Sequence, residues 1–210
     1  MNQRTIRVRG SAKVSGAPDW VVISFGLTSR NFEYAKCLEQ LSAQTESLRD
    51  ELVSVGLEED SLKTLRFDVD TDYERYRDRS TFKGFIASHD LRVEFPFDKE
   101  YLNKVLNVLG RTKSRASFNI SFEIKDPEPL RQQAIAEAVQ NCKDKAEVLA
   151  KAAGVKLVEI MQIDYSWSEI HFESRFEVCE MESSLAAPSY DITPEDVDVS
   201  DSVTVVWSIE

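Results

Sequence analysis

Residues 126–165 read DPEPLRQQAIAEAVQNCKDKAEVLAKAAGVKLVEIMQIDY and prescribe a long helix, a glycine stop and a strand. Asp126 can cap, Pro127 suits the first helical position, and Glu128 places an anion where the helix dipole favours one. Pro129 is still early enough to cost no interior hydrogen bond. Ile135, Ala138, Cys142, Ala146, Leu149 and Ala153 then recur at helical spacing and predict one apolar face. Gln133, Glu137, Gln140, Asp144, Glu147 and Lys151 lie away from it. A stripe so rich in small side chains predicts a helix lying close against a sheet. Gly154 can take the left-handed conformation that ends the helix, and Leu157, Met161, Ile163 and Tyr165 mark the strand after it.

The rest of the chain arranges itself around that unit. Ile6, Val8, Gly10, Ala12 and Val14 alternate with polar neighbours, and Val21, Ile23, Phe25 and Leu27 do the same after a turn at residues 15–19. A hairpin is the simplest expectation for these two strands. Tyr34, Leu38, Leu41, Thr45, Leu48, Leu52 and Val55 predict an amphipathic helix that stops at Gly56; its heptads are too few for a coiled coil. A strand with Leu65, Phe67, Val69, Thr71 and Tyr73 on one face follows, then a return strand through Phe85, Ala87, His89, Leu91, Val93 and Phe95. Asp98 caps a short helix carrying Leu102, Val105, Leu106 and Leu109, which ends at Gly110. Phe118, Ile120, Phe122 and Ile124 lead into the long helix, and Val199, Val203, Val205, Trp207 and Ile209 close the chain as an interior strand.

Three times an apolar helix ends at a glycine and hands over to a strand, at Gly56, Gly110 and Gly154. The element order is β-β-α-β-β-α-β-α-β-β. Hairpins mixed with helical crossovers predict a single α+β domain over residues 1–210, largely antiparallel, with helices on one face. Residues 167–197 are long for a loop. Within them Ile170, Phe172, Phe176 and Val178 alternate with charged neighbours, which predicts an extended β arm with one oily face, followed by an acidic loop. A bulge or turn near Ser168 would account for the change of parity from the preceding strand.

The chain has 210 residues, 42% of them hydrophobic, enough for a full core. No run approaches a membrane span, and the N-terminus MNQRTIRVRG shows no apolar segment of a secretory signal, so a cytoplasmic location is expected. A net charge of −11 argues against nucleic acid and anionic membranes as partners. Cys37, Cys142 and Cys179 form no CxxC pair; the first two are expected as small core residues.

Several segments resemble the SIMPL-domain family, which includes YggE-like and periplasmic immunogenic proteins of bacteria. They are Ile6-Arg7-Val8-Arg9-Gly10 with Pro18-Asp19, Val55-Gly56-Leu57, Phe82-Lys83-Gly84-Phe85, Ala134 to Ala138 after Asp126-Pro127, Lys145-Ala146-Glu147, Ala150 to Leu157, and Ser202 to Val205. The resemblance covers nearly the whole chain. It implies an α+β fold, ring-like or channel-like assemblies for some members, an association with oxidative-stress defence, and no established catalytic residues. Residues 111–115, Arg-Thr-Lys-Ser-Arg, are basic where relatives tend to be glycine-rich and apolar.

Chemistry-bearing candidates are few. Asp68, Asp70 and Asp72 have the start of a calcium loop, but Tyr73 and Arg79 stand where glycine and glutamate are required, so they are expected on the polar face of a strand. His89 is expected as a satisfied core histidine, and Glu177 and Glu180 disfavour a thiolate at Cys179. The chain contains no hydrolase, metalloprotease, P-loop or dinucleotide motif. The sequence therefore predicts no catalytic residue, cofactor or metal. It predicts instead a homo-oligomeric interaction module whose interface is Ile170, Phe172, Phe176 and Val178. The alternative is a small-molecule or metal-binding protein, or an enzyme, using a cleft near the acidic loop 191–201, with Asp191, Glu195, Asp196 and Asp198 as ligands or bases.

Overall fold

The computed structural model describes residues 4–76, 79–110, 116–165, 174–176 and 190–210. The elements follow the expected order, with a short 3-10 turn added and one short strand within the span of the expected arm. They are β1 (Thr5–Gly16), β2 (Trp20–Asn31), α1 (Tyr34–Ser54), a 3-10 turn (Glu59–Ser61), β3 (Lys63–Tyr76), β4 (Arg79–Pro96) and α2 (Lys99–Leu109). Then come β5 (Ser117–Glu123), α3 (Glu128–Ala153), β6 (Leu157–Tyr165), β7 (Ser174–Phe176) and β8 (Val197–Ile209). The fold is α+β, with the strands divided between two sheets of order β1-β8-β6 and β3-β4-β2-β5-β7. The chain gathers into two units, one of Met1–Pro18, Glu123–Ser174 and Glu195–Glu210, the other of Asp19–Phe122 and Arg175–Pro194.

The first two strands do not form the expected hairpin. β1 pairs antiparallel with β8, and β2 pairs antiparallel with β4. The turn chemistry around Pro18 says that the strand stops, but not that the chain folds back on it. The alternation decides the partner: Ile6 stands opposite Trp207, Val8 opposite Val205, Gly10 opposite Val203 and Val14 opposite Val199. Each of those β8 residues is buried, so β8 is the interior strand that its sequence predicts.

In the first unit α3 lies on one face of this sheet. Its N-terminal cap is Pro127, and Asp126 Oδ1 accepts a hydrogen bond from the Glu128 amide at 3.2 Å. The helix ends at Gly154 in the left-handed region, φ +68°. The buried stripe is Ala134, Ala138, Cys142, Ala146 and Ala150, a spacing of four throughout. Leu149 and Ala153, expected in the stripe, are instead exposed. A step of four advances the face by about 40° per step beyond a full turn, so the stripe drifts around the helix. That drift leaves Leu149 on a flank. The small side chains do bring the helix close to the sheet, and Gly10 marks the point of nearest approach. A Cβ there would lie 2.7 Å from both the amide nitrogen and the Sγ of Cys142, and would overlap the Ala138 carbonyl oxygen.

In the second unit α1 and α2 share one core with β2, β4 and β5. α1 buries Cys37, Leu41, Thr45, Leu48 and Leu52, and α2 buries Leu102, Val105, Leu106 and Leu109. Asp98 caps α2, its Oδ1 accepting from the Tyr101 amide at 2.8 Å. Gly56, at φ +100°, ends the α1 turn in a conformation that other residues adopt only with strain.

Two variants test this packing. Leu48 is fully buried, so Leu48→Ala is expected to cost about 2–5 kcal/mol in denaturant unfolding, and Leu48→Asp to abolish the cooperative melt followed by circular dichroism. Gly10→Val is expected to cost at least the roughly 1–3 kcal/mol of an overpacked core, because backbone rather than a movable side chain stands in its way. A melting temperature equal to wild type for Gly10→Val would mean that α3 does not sit this close to β1.

Candidate interaction surfaces

The two sheets end in strands whose apolar side chains are not covered. β6 is the edge of the first sheet. Ile160 stands opposite Trp207, Ile163 opposite Val205 and Tyr165 opposite Val203, so all three point to the face on which α3 lies. They nevertheless remain 46%, 54% and 41% exposed. Leu149, also exposed, lies on the other flank of α3, in the helical row of Asn141 and Lys145 that faces β1. The strand carries two register shifts, after Leu157 and after Ile160. Such bulges twist an edge and make it a poorer template for a further strand. The opposite edge, β1, is capped by α3: Asn141 Oδ1 accepts from the Ser11 amide at 3.2 Å, and Lys145 Nζ donates to the Arg9 carbonyl at 3.4 Å.

β3 is the edge of the second sheet. Its pairing with β4 is regular from Arg66 to Asp72 and shifts on either side. Phe67 stands opposite His89 and Val69 opposite Ala87, which puts both on the face covered by α1. α1 lies over β2 and β4, and Phe67 stays 52% exposed. Beyond Val69 the same end of the unit carries a chain of edge-to-face rings. Phe82 meets Tyr73, Phe32 and Phe85 with centroids 5.4–5.5 Å apart, and Phe85 meets Tyr34 at 5.4 Å. Phe32, Tyr34 and Tyr73 are half-exposed or more.

The residues singled out in the sequence fall on several elements of the two units. Asp68, Asp70 and Asp72 lie on the polar face of β3, opposite Ser88, Ile86 and Gly84, with Asp68 3.2 Å from Arg66 Nε. Asp191 is almost fully exposed and faces Lys99 Nζ at 3.3 Å in the second unit. Asp198 belongs to the first unit, where Lys13 at 2.6 Å and the Ser15 hydroxyl at 2.7 Å hold its carboxyl below the usual range. Glu195 and Asp196 are in that unit as well, so the acidic loop is divided between the two. Among the described residues no three His, Cys, Asp or Glu side chains are grouped to hold a metal. A shallow cleft of about 530 Å³ in the second unit mixes Glu58, Asp60 and Glu94 with Lys63 and Arg92, and its one hydroxyl, on Ser61, donates to the Glu58 carbonyl. Cys37 and Cys142 are buried core residues, as expected. His171, Cys179, Ile170, Phe172 and Val178 lie outside the described residues, as does the bulge expected near Ser168. The side chain of Phe176 does too, although its backbone pairs in β7 beside β5.

His89 is satisfied at both ring nitrogens. Thr45 Oγ1 lies 3.1 Å from Nδ1 and Thr64 Oγ1 lies 2.9 Å from Nε2. Thr45 already donates to the Leu41 carbonyl at 2.9 Å, so it accepts from Nδ1–H, and Nε2 accepts from the Thr64 hydroxyl. This neutral ring has no free position for general-base work.

Sequence alternation found the face of β3 but not its exposure, and in β6 it expected Met161 where the bulge places Ile160 beside Ile163 and Tyr165. The available signal was numerical: three helices, one with a stripe of small residues, cannot cover every strand that the pattern predicts.

The SIMPL family model, described as a protein of unknown function (DUF541), matches residues 6–207. The uncharacterized protein YggE of Edwardsiella ictaluri (strain 93-146) is 24% identical over 209 residues, covering 95% of this chain and 84% of that protein. Two solved structures give weaker likenesses. An uncharacterized conserved protein from Listeria innocua is 11% identical over 99% of this chain and 93% of its own, with a TM-score of 0.22. The ligand-free regulatory subunit of aspartate kinase from Thermus thermophilus is 10% identical over 95% and 87%, with a TM-score of 0.18. Scores this low carry no argument about fold or role.

The histidine gives a pH test. Burial lowers the His89 pKa, the Asp90 carboxylate opposes that, and Arg49 adds to it. The folded pKa therefore lies below the unfolded value of about 6.5, and on acidification the unfolded chain binds the proton first. Stability from the neutral ring is complete above the unfolded pKa and is lost as pH falls through it toward the folded one. The urea midpoint should fall between about pH 7.5 and 5.5, and His89→Gln should flatten that fall. Equal slopes in variant and wild type would show that His89 titrates alike in both states.

Proposed function

From the chain's membership of the SIMPL family (DUF541), a family described without a function, we propose that it acts as a non-enzymatic, homo-oligomeric interaction module. The observation that carries this reading is β6, an edge strand with exposed Ile160, Ile163 and Tyr165 that runs directly into the segment holding Ile170 and Phe172. Water-exposed apolar side chains along a sheet edge are what another chain's strand would cover. Oligomerisation through β6 and residues 170–178 would bury both. The candidate chemistry does not compete with this reading: His89 is half-buried with both ring nitrogens hydrogen-bonded.

Native mass by light scattering tests the proposal. Wild type is expected above the mass of one chain. Ile163→Lys and the pair Ile170→Asp with Phe172→Asp are expected to lower it, with cooperative melting retained. A monomeric wild type, or variants that keep the wild-type mass, would overturn the reading.

A further inference from the structure

We propose that the β3 edge binds an extended segment of a partner protein in which basic and apolar residues alternate. The inference rests on the reading of the chain as an interaction module but uses a different edge from β6. Between its two register shifts β3 offers seven regularly paired residues, Arg66 to Asp72, with nothing among the described residues beyond it in the sheet. A further strand in antiparallel pairing would find two unlike faces. On the α1 side it would meet Phe67 and Val69, and then Tyr73 in its ring cluster. On the other side it would meet Asp68, Asp70 and Asp72 in a row, offset in part by Arg66, which Asp90 shares at 2.9 Å, and by Lys83 near Asp72.

Period two in the edge selects period two in the occupant. Opposite-charge pairs across strands are favourable and like-charge pairs are not. A segment with Lys or Arg at alternate positions therefore neutralises the aspartates while its apolar residues cover Phe67 and Val69. An acidic segment would set like charges opposite each other. This chain's own basic and apolar run, Ile6-Arg7-Val8-Arg9, is already committed to pairing with β8. A second copy of β3 is a poorer occupant, because centring the pair on Asp70 places all three aspartates opposite aspartates.

The probe is a fluorescent heptapeptide alternating Lys and Val, titrated into the full-length protein by anisotropy, with a Glu and Val peptide of the same length as control. The Lys peptide should bind roughly tenfold or more tightly than the Glu peptide, and added salt should weaken it. Asp68→Lys with Asp70→Lys should reverse the preference; both side chains are exposed, so the fold is retained. Methylating alternate backbone amides of the Lys peptide should abolish binding, and amide exchange should slow at residues 66–72. Equal binding of both peptides, binding unaffected by the charge reversal, or a native mass that falls on Phe67→Lys while neither peptide binds would each overturn the proposal. The last result would give the edge to a second copy. The native mass of the Ile163 and Ile170 variants reports separately on the oligomer, so the two readings can fail independently.

Discussion

The first unit depends on how close α3 lies to β1 and β8. Ala134, Ala138, Cys142, Ala146 and Ala150 have no bulk to hold the helix away, and Gly10 has none to meet it. With backbones this near, Cys142 reaches two strands at once: its Sγ lies 3.2 Å from the Val203 carbonyl and 3.7 Å from that of Val8. The same proximity lets Asn141 and Lys145 reach past the sheet surface to the outer backbone of β1. A helix with leucines in those positions would stand farther off, and its polar flank would then end in solvent.

Most of the element order was legible in the chain because it rests on local rules. Asp98 caps α2, Gly154 is left-handed, and the apolar alternation of β8 matches its place inside the sheet. Partner choice was not legible. A turn containing Pro18 is compatible with a reversal and with a passage to another sheet, and only the strands 180 residues away settle which occurs. The helix stripe was read nearly but not fully, since Leu149 obeys helical spacing and yet lies on a flank. For the surfaces, alternation told which residues of β3 share a face but not that a bulge in β6 puts Ile160 with Ile163; coverage depends on the third dimension, and the side chains expected to form the interface lie outside the described part.

His89 and the aspartates of β3 illustrate opposite treatments of polarity. The histidine is half-buried and has both nitrogens matched by hydroxyls, so its presence in an apolar row costs little. The aspartates stay in water on the outer strand, where charge discourages unwanted strand addition. Edge β6 uses geometry for the same end, through two bulges rather than charge. Each edge is thus restrained by a different device, and each restraint leaves apolar area uncovered.

The capped outer backbone of β1 gives the three-stranded sheet a direction. Asn141 and Lys145 occupy two of the outward backbone groups that another strand would use there, the Ser11 amide and the Arg9 carbonyl. Polymerisation from sheet to sheet would need both edges of each monomer to accept a strand. Joining through β6 alone would be self-terminating: two copies related by a twofold axis would consume each other's edge and leave nothing to propagate. Two side chains of a single helix thus stand in the way of a strand at the other edge.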